Sequence, residues 1–486
     1  MPLPITATAP AAAPLRLVCA GVAAVLFAGC AVGPRYTPPS ADAPAPAAYP
    51  VADATLSAGA PLDRWWTALQ DPLLDELVER SLAGSPDLAS AEARVQQARA
   101  LARAAGAALY PAANLDGRVS RDKLSLNGEN LALIPFKPST TEFTDYRIGF
   151  DAAWEIDLAG RTRREVEAAV ARLGSSAEAR NDARLVVAAE VADAYVEYRA
   201  TAQRLALAQR TVATLDETLR LVTLEVQAGV ASDAELRRAE AERLSAAGAV
   251  PLLEAALQGA TFQLAALTAE PLAALQRRLD PPRAIPAVPA ATPIGLPSEL
   301  LRRRPDVRRA ERELAAATAD VGGAIAAQFP RLSLVGDFGW DSVRSGSLTS
   351  AASRYWNIAP ELTLPLFAGG RLRSQVDAAK AARDAALASY RSAVLRALAD
   401  PESSLVRYAA ERRREAALAA ASASLESTLA LERRRFEAGE ASMIDVLGAE
   451  RAANQAADLR TASAEQLVQD YIALGKALGG GWQPVP

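Results

Sequence analysis

The chain has 486 residues, which is enough for two or three ordinary domains. Half of the residues are hydrophobic but only 5% are aromatic, and since alanine supplies much of the apolar content, the composition favours helices over strands. The 53 basic and 57 acidic residues nearly balance, which gives no general attraction to nucleic acid. The absence of histidine from the sequence excludes a histidine base and an imidazole metal ligand.

The first 29 residues have the pattern of a signal peptide. Arg16 precedes the apolar stretch Leu17–Phe27, which is too short to cross a bilayer, because a helix needs about 20 residues. The small residues 28–29 lead to Cys30 in a sequence that resembles a bacterial lipobox, although the usual leucine is one position early, at Leu26. The resemblance implies that Cys30 is diacylated and becomes the mature N-terminus. The alternative is a plain secretory signal with an incidental cysteine.

Cysteine usage favours lipidation. Of the two cysteines, Cys19 lies in the segment that signal-peptide cleavage removes, so Cys30 is left alone. A single thiol makes no intramolecular disulfide and no thiolate metal cluster, and a lipid explains its presence in an exported protein. Residues 30–64 are rich in proline and alanine and are predicted to form an extended, poorly packed tether, with folded structure beginning near Trp65.

Two halves of the chain repeat one pattern. Pairs separated by 219 residues (305 minus 86) are Ser85-Pro86-Asp87 with Arg304-Pro305-Asp306, and Tyr110-Pro111 with Phe329-Pro330. Pairs separated by 210 residues (370 minus 160) are Gly160-Arg161 with Gly370-Arg371, Ala228-Gly229 with Ala438-Gly439, and Ala239-Glu240 with Ala449-Glu450. The predicted organisation is a signal peptide (1–29), a tether (30–64), a first repeat (65–270), a proline-rich linker (271–297), a second repeat (298–482) and a tail (483–486).

Each repeat is predicted to contain a helix, two strands and a helical hairpin. In the first repeat the long helix covers 161–227, where apolar residues step by threes and fours like a coiled-coil seam: Leu205, Ala208, Val212, Leu215, Leu219, Val222 and Val226. Its 67 residues would span roughly 100 Å. Placed end to end, an opening helix (72–109) and a returning helix (232–268) are together expected to match the length of the long helix. The second hairpin is predicted over about 371–478.

Four segments alternate apolar and polar residues as strands do, at about 114–126, 144–160, 332–343 and 354–367. In an exported chain with Trp340, Tyr355 and Trp356 as interface aromatics, this alternation favours membrane barrel strands. The alternative is a soluble sheet with one face on a core. Closed barrels start at about eight strands, so several copies must share one barrel. Two copies would give eight strands and three would give twelve. The periodicity of the sequence does not distinguish between these two numbers.

Four motifs carry a resemblance to a known family. They are residues 30–36 (CAVGPRY), 301–307 (LRRRPDV), 436–442 (FEAGEAS) and 477–482 (ALGGGW). The chain resembles the outer-membrane efflux factors of the TolC and NodT type, in the lipoprotein branch that serves tripartite pumps. The resemblance implies a mainly α fold with a β-barrel part: a homotrimer with a twelve-stranded outer-membrane barrel continued by a periplasmic α-helical barrel.

The resemblance also implies a function and partners. The chain would be the exit duct of an efflux system, passing drugs or other small molecules out of the cell from a periplasmic adaptor and an inner-membrane pump of the resistance-nodulation-division class. No catalytic residue, metal or cofactor is expected apart from the lipid on Cys30, and Ala31 after it implies sorting to the outer membrane. A non-conducting coiled-coil scaffold lipoprotein is the alternative, but it leaves the alternating strands unexplained.

Two groups of residues are candidate sites. Family resemblance makes Gly229 and Gly439 the tips of the hairpins, and these residues with the following Val230 and Glu440 are expected to contact the adaptor. Beyond the second tip, relatives often carry a constriction acid where this chain has Gly448.

Asp445 is the candidate replacement for the missing acid, since residues three apart share a helix face, and a ring of acids favours cations. Glu450 or Arg451 is expected to tie neighbouring helices shut. The alternative is that Asp445 is only a first-turn acid favoured by the helix dipole. Pro401 is expected to kink the second long helix.

Overall fold

The structure is a computed structural model that describes residues 31–38, 49, 56–57, 59, 62–125 and 141–482. The described residues form two compact units. The first draws on the described residues within 31–38, 96–175 and 311–389, and the second on those within 49–95, 176–310 and 390–482. Each unit therefore contains parts of both sequence repeats.

Nine α-helices are found in the described residues. They are α1 Pro72–Gly84, α2 Pro86–Ala107, α3 Arg161–Gln227, α4 Asp233–Thr268, α5 Leu272–Leu279, α6 Pro297–Arg303, α7 Pro305–Ala326, α8 Arg371–Glu437 and α9 Met443–Ala477. Both long helices have the predicted bounds at their N-terminal ends. The proline-rich linker contains a short helix, α5, which its composition did not indicate.

The prediction of one opening helix over 72–109 was wrong, because α1 and α2 are separated at Ser85. Ser85 is extended, with φ −63° and ψ 127°. A residue before proline is disfavoured in the helical region, whereas proline itself suits the first turn of a helix. The same break separates α6 from α7 at Arg304, before Pro305. Pro401, in contrast, lies inside α8, which runs as one helix on both sides of it.

Four strands form one antiparallel sheet in the first unit, in the order β2-β3-β5-β6. Their bounds are β2 Ala112–Lys123, β3 Glu142–Ile156, β5 Arg331–Ser342 and β6 Arg354–Thr363. In the second unit, β1 (Leu56–Ser57) pairs in parallel with β4 (Thr292–Pro293). The prediction of a poorly packed tether over 30–64 was therefore wrong for two segments. β1 joins a sheet, and residues 31–38 make tertiary contacts.

The second unit has a hydrophobic core of its own, and a charged group lies inside it. The core includes Trp65, Trp66, Leu74, Leu264 and Ile472. In the same unit Asp71 caps α1 by accepting the N–H groups of residues 73 and 74, at 3.0 and 3.3 Å. The hydroxyl of the buried Tyr195 donates to Asp71 at 2.6 Å, and the fully buried Arg199 lies 4.0 Å from the same carboxylate oxygen. This network ties α1 to α3.

Candidate functional site

One face of the four-stranded sheet is apolar and exposed. Leu115, Phe150, Phe338 and Trp356 are neighbours in register across the four strands. Each of these side chains is at least 45% exposed in a single copy. Soluble proteins rarely leave a contiguous apolar surface of this kind uncovered, and such a patch marks contact with a membrane or a partner.

The opposite face of the same sheet is polar. The adjoining row consists of Asn114, Asp151, Asp337 and Asn357, and successive side chains of a strand point to opposite faces. The side-chain amide of Asn114 donates to Asp151 at 3.0 Å. The predicted alternation is therefore confirmed in these rows of the four strands, but residues 157–160 and 364–367, which were predicted as strand ends, lie beyond β3 and β6. The alternation is typical of a wall that meets lipid on one side and water on the other.

Both helical hairpins turn in the same way, at residues that belong to the second unit. Gly229 follows α3 and Gly439 follows α8, with φ of 71° and 76°. The residue after each glycine donates its N–H to the carbonyl five positions earlier, at 2.8 Å in both hairpins. This is a Schellman motif, in which a left-handed glycine ends a helix. A side chain there would cost about 1–2 kcal/mol in backbone conformation.

The returning helices then begin with the same kind of cap. Ser232 and Glu235 form a capping box at α4, and Ser442 and Asp445 form one at α9. The two turns are exposed, and Val230 is 79% exposed. The spacing of a serine and an acid three residues apart is a sequence signal for this cap, and it would have located both helix starts.

Asp445 is part of the cap. Its carboxylate accepts the Ser442 N–H at 2.9 Å and the Ser442 hydroxyl at 2.7 Å. These hydrogen bonds, the hydroxyl first, lower the pKa of the Asp445 carboxyl below its ordinary value. This geometry agrees with the first-turn alternative. A role of Asp445 in a gate stays a prediction.

The other two candidate gate residues contact different helices. Glu450 on α9 is buried and accepts from Arg433 on α8 at 3.2 Å, inside the second hairpin. Burial raises the pKa of the Glu450 carboxyl, and Arg433 opposes the rise. Arg451 instead donates to Glu242 on α4 at 3.2 Å. Arg451 thus ties the returning helix of one repeat to that of the other, and the three candidates do not form one cluster.

Glu242 and Arg433 were not predicted from the sequence. Charged residues at helical spacing are common on solvated faces, and only the packing of the helices shows which of them meet. Cys30, the predicted lipidation site, lies outside the described residues.

A sheet with one apolar and one polar face, together with two long helical hairpins, defines the class of outer-membrane channels with a periplasmic helical part. The model of the outer membrane efflux protein family matches residues 77–270 and 296–480. The chain belongs to this family, which is one of transport channels and not of enzymes.

Known relatives agree with this assignment. The pyoverdine export outer membrane protein OpmQ of Pseudomonas putida is 34% identical, over 92% of this chain and 94% of its own. The outer membrane protein OprJ of Pseudomonas aeruginosa is 31% identical, over 95% of this chain and 96% of its own. The solved structure of the outer-membrane channel OprN has a TM-score of 0.86 at 34% identity, covering 94% of this chain and 100% of that one.

This chain is therefore an efflux protein of the TolC and NodT type, the outer-membrane channel of an efflux system with a periplasmic helical part. The alternative of a non-conducting scaffold lipoprotein is not supported, because the relatives and solved structures are efflux channels.

Proposed function

We propose that three copies of this chain close one twelve-stranded barrel and form the exit duct of a tripartite pump. The observation that carries the proposal is the open sheet: β2 and β6 are its edges, and lipid does not tolerate unpaired strand edges. Pairing β6 of one copy with β2 of the next removes both edges. Resemblance to the family favours three copies over two.

The surface of α4 supports contact between copies. Leu244, Leu252 and Phe262 on this helix are each more than half exposed in a single copy. By length and composition alone, α4 is apolar enough to span a membrane, but its first half contains Arg237 and Arg238 beside acids. A neighbouring copy of the chain covers this apolar surface better than lipid does, because ionised groups are costly in a bilayer.

Oligomer size is the direct test. Native mass spectrometry of the protein extracted from outer membranes in mild detergent should give three chains per particle, and heating should separate them. A particle of two chains would give eight strands and would refute the twelve-stranded barrel. A single chain in the membrane extract would refute the shared barrel altogether.

We also propose that Cys30 carries the lipid. Because a buried acyl chain adds about 0.8 kcal/mol per CH₂ to membrane attachment and builds no part of the helices, Cys30→Ser should release or mislocalise the protein and leave its fold intact. Mass spectrometry of the mature N-terminus checks the modification. An unmodified cysteine would refute it.

The hairpin turns at Gly229 and Gly439 are proposed to receive a periplasmic adaptor, which joins the duct to a pump of the resistance-nodulation-division class. Both turns have the same geometry and open surroundings, which supports this proposal. A β-carbon placed on either glycine would meet no atom within 4 Å. Gly229→Trp with Gly439→Trp should abolish export and adaptor crosslinking while the oligomer still forms. Gly370→Trp is the control, since Gly370 also has a positive φ of 82° and open space around it but lies away from the hairpin turns. Unchanged crosslinking in the double variant would refute the tip assignment.

A further inference from the structure

The segment that follows Cys30 is attached to the first unit at both of its ends. The N–H of Val32 donates to the carbonyl of Ala159 at 3.0 Å, in the turn that leads from β3 to α3. Four residues later the hydroxyl of Tyr36 donates to Glu311 on α7 at 3.0 Å. One short segment therefore joins the first repeat to the second.

The segment lies in a groove that glycines at positions 33, 160 and 322 leave open. A β-carbon on Gly160 would lie 2.6 Å from the Cα of Ala31, and one on Gly33 would lie 2.7 Å from the Cα of Gly322 on α7. Contacts this close involve backbone atoms that no side-chain rotation can relieve. The sequence therefore fits the segment and the groove to each other at two separate points.

Arg164 forms the wall of the groove. Its side chain is 4% exposed and its guanidinium donates to Glu167 at 2.8 Å. A second nitrogen of the guanidinium lies 3.5 Å from the carbonyl of Gly33. A β-carbon on Gly322 would lie 2.8 Å from Nε of Arg164, so the side chain, the glycine and the segment are packed together.

We propose that residues 31–36 are a docking segment that fixes the acylated Cys30 beside the junction of β3 and α3. The inference rests on the proposed acylation of Cys30. Because the described contacts begin at Ala31, the chain directly after the acylated cysteine is held at this junction. The lipid then enters the membrane beside the sheet. The residues that carry it are packed against the protein and do not form a loose tether.

The first test follows the mobility of residue 30 without its lipid. Cys30 is the single cysteine of the mature sequence, so export with a plain secretory signal leaves one thiol for a nitroxide label. The labelled full chain should give an immobilised spectrum in detergent. Val32→Pro, which removes the N–H bonded to Ala159, should make the spectrum mobile. Thr37→Pro, which adds the same residue outside the docking segment, should not.

The second test changes the groove and leaves the segment alone. Gly322→Val fills the space beside Arg164, whereas Gly323→Val places the same side chain on the same helix, where the nearest atom is 4.0 Å away. In proteoliposomes of the acylated chain, trypsin should cut after the exposed Arg35 at least about tenfold faster in Gly322→Val than in the parent, because local opening controls cleavage. Gly323→Val should behave like the parent.

The outcomes separate docking from acylation. A mobile label in the parent chain, or equal cleavage in all three proteins, would overturn the docking segment and leave the lipidation of Cys30 standing. An immobile label with an unmodified Cys30 in the native protein would overturn the lipidation, and with it the anchoring role. An immobile parent label, release by Val32→Pro and an acylated Cys30 together support the proposal.

Discussion

The helical core of the second unit and the sheet of the first differ in what one chain buries by itself. In the core, Leu74, Leu264 and Ile472 are completely buried in a single copy. In the sheet, Phe150 and Trp356 are exposed by more than half, although both are as apolar as core residues. One chain therefore buries a helical core of its own, whereas the apolar face of its sheet stays exposed in a single copy.

Removal of the buried charge should have the largest effect on the core. Arg199→Met leaves the buried carboxylate of Asp71 without its cation, and breaking a buried pair costs about 3–5 kcal/mol. Asp71→Asn combined with Arg199→Met should recover most of the loss, because neither charge then remains. Denaturant unfolding followed by the fluorescence of Trp65 and Trp66, which lie in this core, measures both. If the double variant were no more stable than the single one, the pairing would be wrong.

The sheet should respond to charge on one face only. Phe338→Arg puts a cation on the apolar face, which costs about 2–4 kcal/mol at the bilayer centre. Asn357→Arg puts the same side chain on the polar face of the neighbouring strand, opposite Asp337, and should insert much more readily. Urea titration of the folded protein in lipid vesicles measures the difference in the free energy of unfolding between the two variants. Equal losses in the two variants would contradict the assignment of the faces.

The stability of the core should also depend on pH, because of the carboxyl group of Asp193. Burial raises the pKa of its carboxyl to about 7, with Lys476 opposing and Glu190 and Glu197 adding to the rise. Between about pH 4 and pH 7 the unfolded chain loses this proton while the folded chain keeps it, so stability falls as the pH rises through this window. Asp193→Asn should remove that loss and stabilise the protein more at pH 8 than at pH 4.

The exposed Asp377→Asn is the control for this pH dependence, since it removes a carboxylate that is not buried. Unfolding curves at the two pH values decide the point. A slope that stays the same in Asp193→Asn would assign the pH dependence to other groups.

The smallest effect is expected for the tie between the two hairpins. Arg451 and Glu242 are partly exposed, and such pairs contribute about 0–1 kcal/mol each. A double-mutant cycle with Arg451→Ala and Glu242→Ala should give a coupling of that size, and export should tolerate its loss. A coupling of several kcal/mol would mean that the pair is buried in the assembled channel.

Short-range patterns in the sequence predicted most of the fold. Alternation found all four strands, the spacing of apolar residues found the first long helix, and the internal repeat placed the second. The break at Ser85 was missed although Pro86 is a local signal for it, because the helical pattern continues on both sides. The docking of residues 31–36 was missed for a different reason: Gly33 and Gly322 are distant in sequence, and nothing local indicates that they touch.

The candidate site was predictable only in part. Gly229 and Gly439 follow from the repeat and from the need for glycine in a left-handed turn. The partners of Glu450 and Arg451 depend on the rotation of each helix about its axis, which one sequence does not define. Asp445 illustrates the same limit, since the spacing that suggested a gate acid also fits the capping box that the structure contains.

Conductance in planar bilayers tests most directly whether the sheets of several copies close one channel. Purified oligomer should add discrete, uniform conductance steps to the membrane, and Phe338→Arg should reduce the frequency of insertion without changing the size of a step. An oligomer that inserts and conducts no ions, even when the contact between Arg451 and Glu242 is removed, would contradict the account, because a closed barrel with a polar interior and no such tie between its helices passes water and ions.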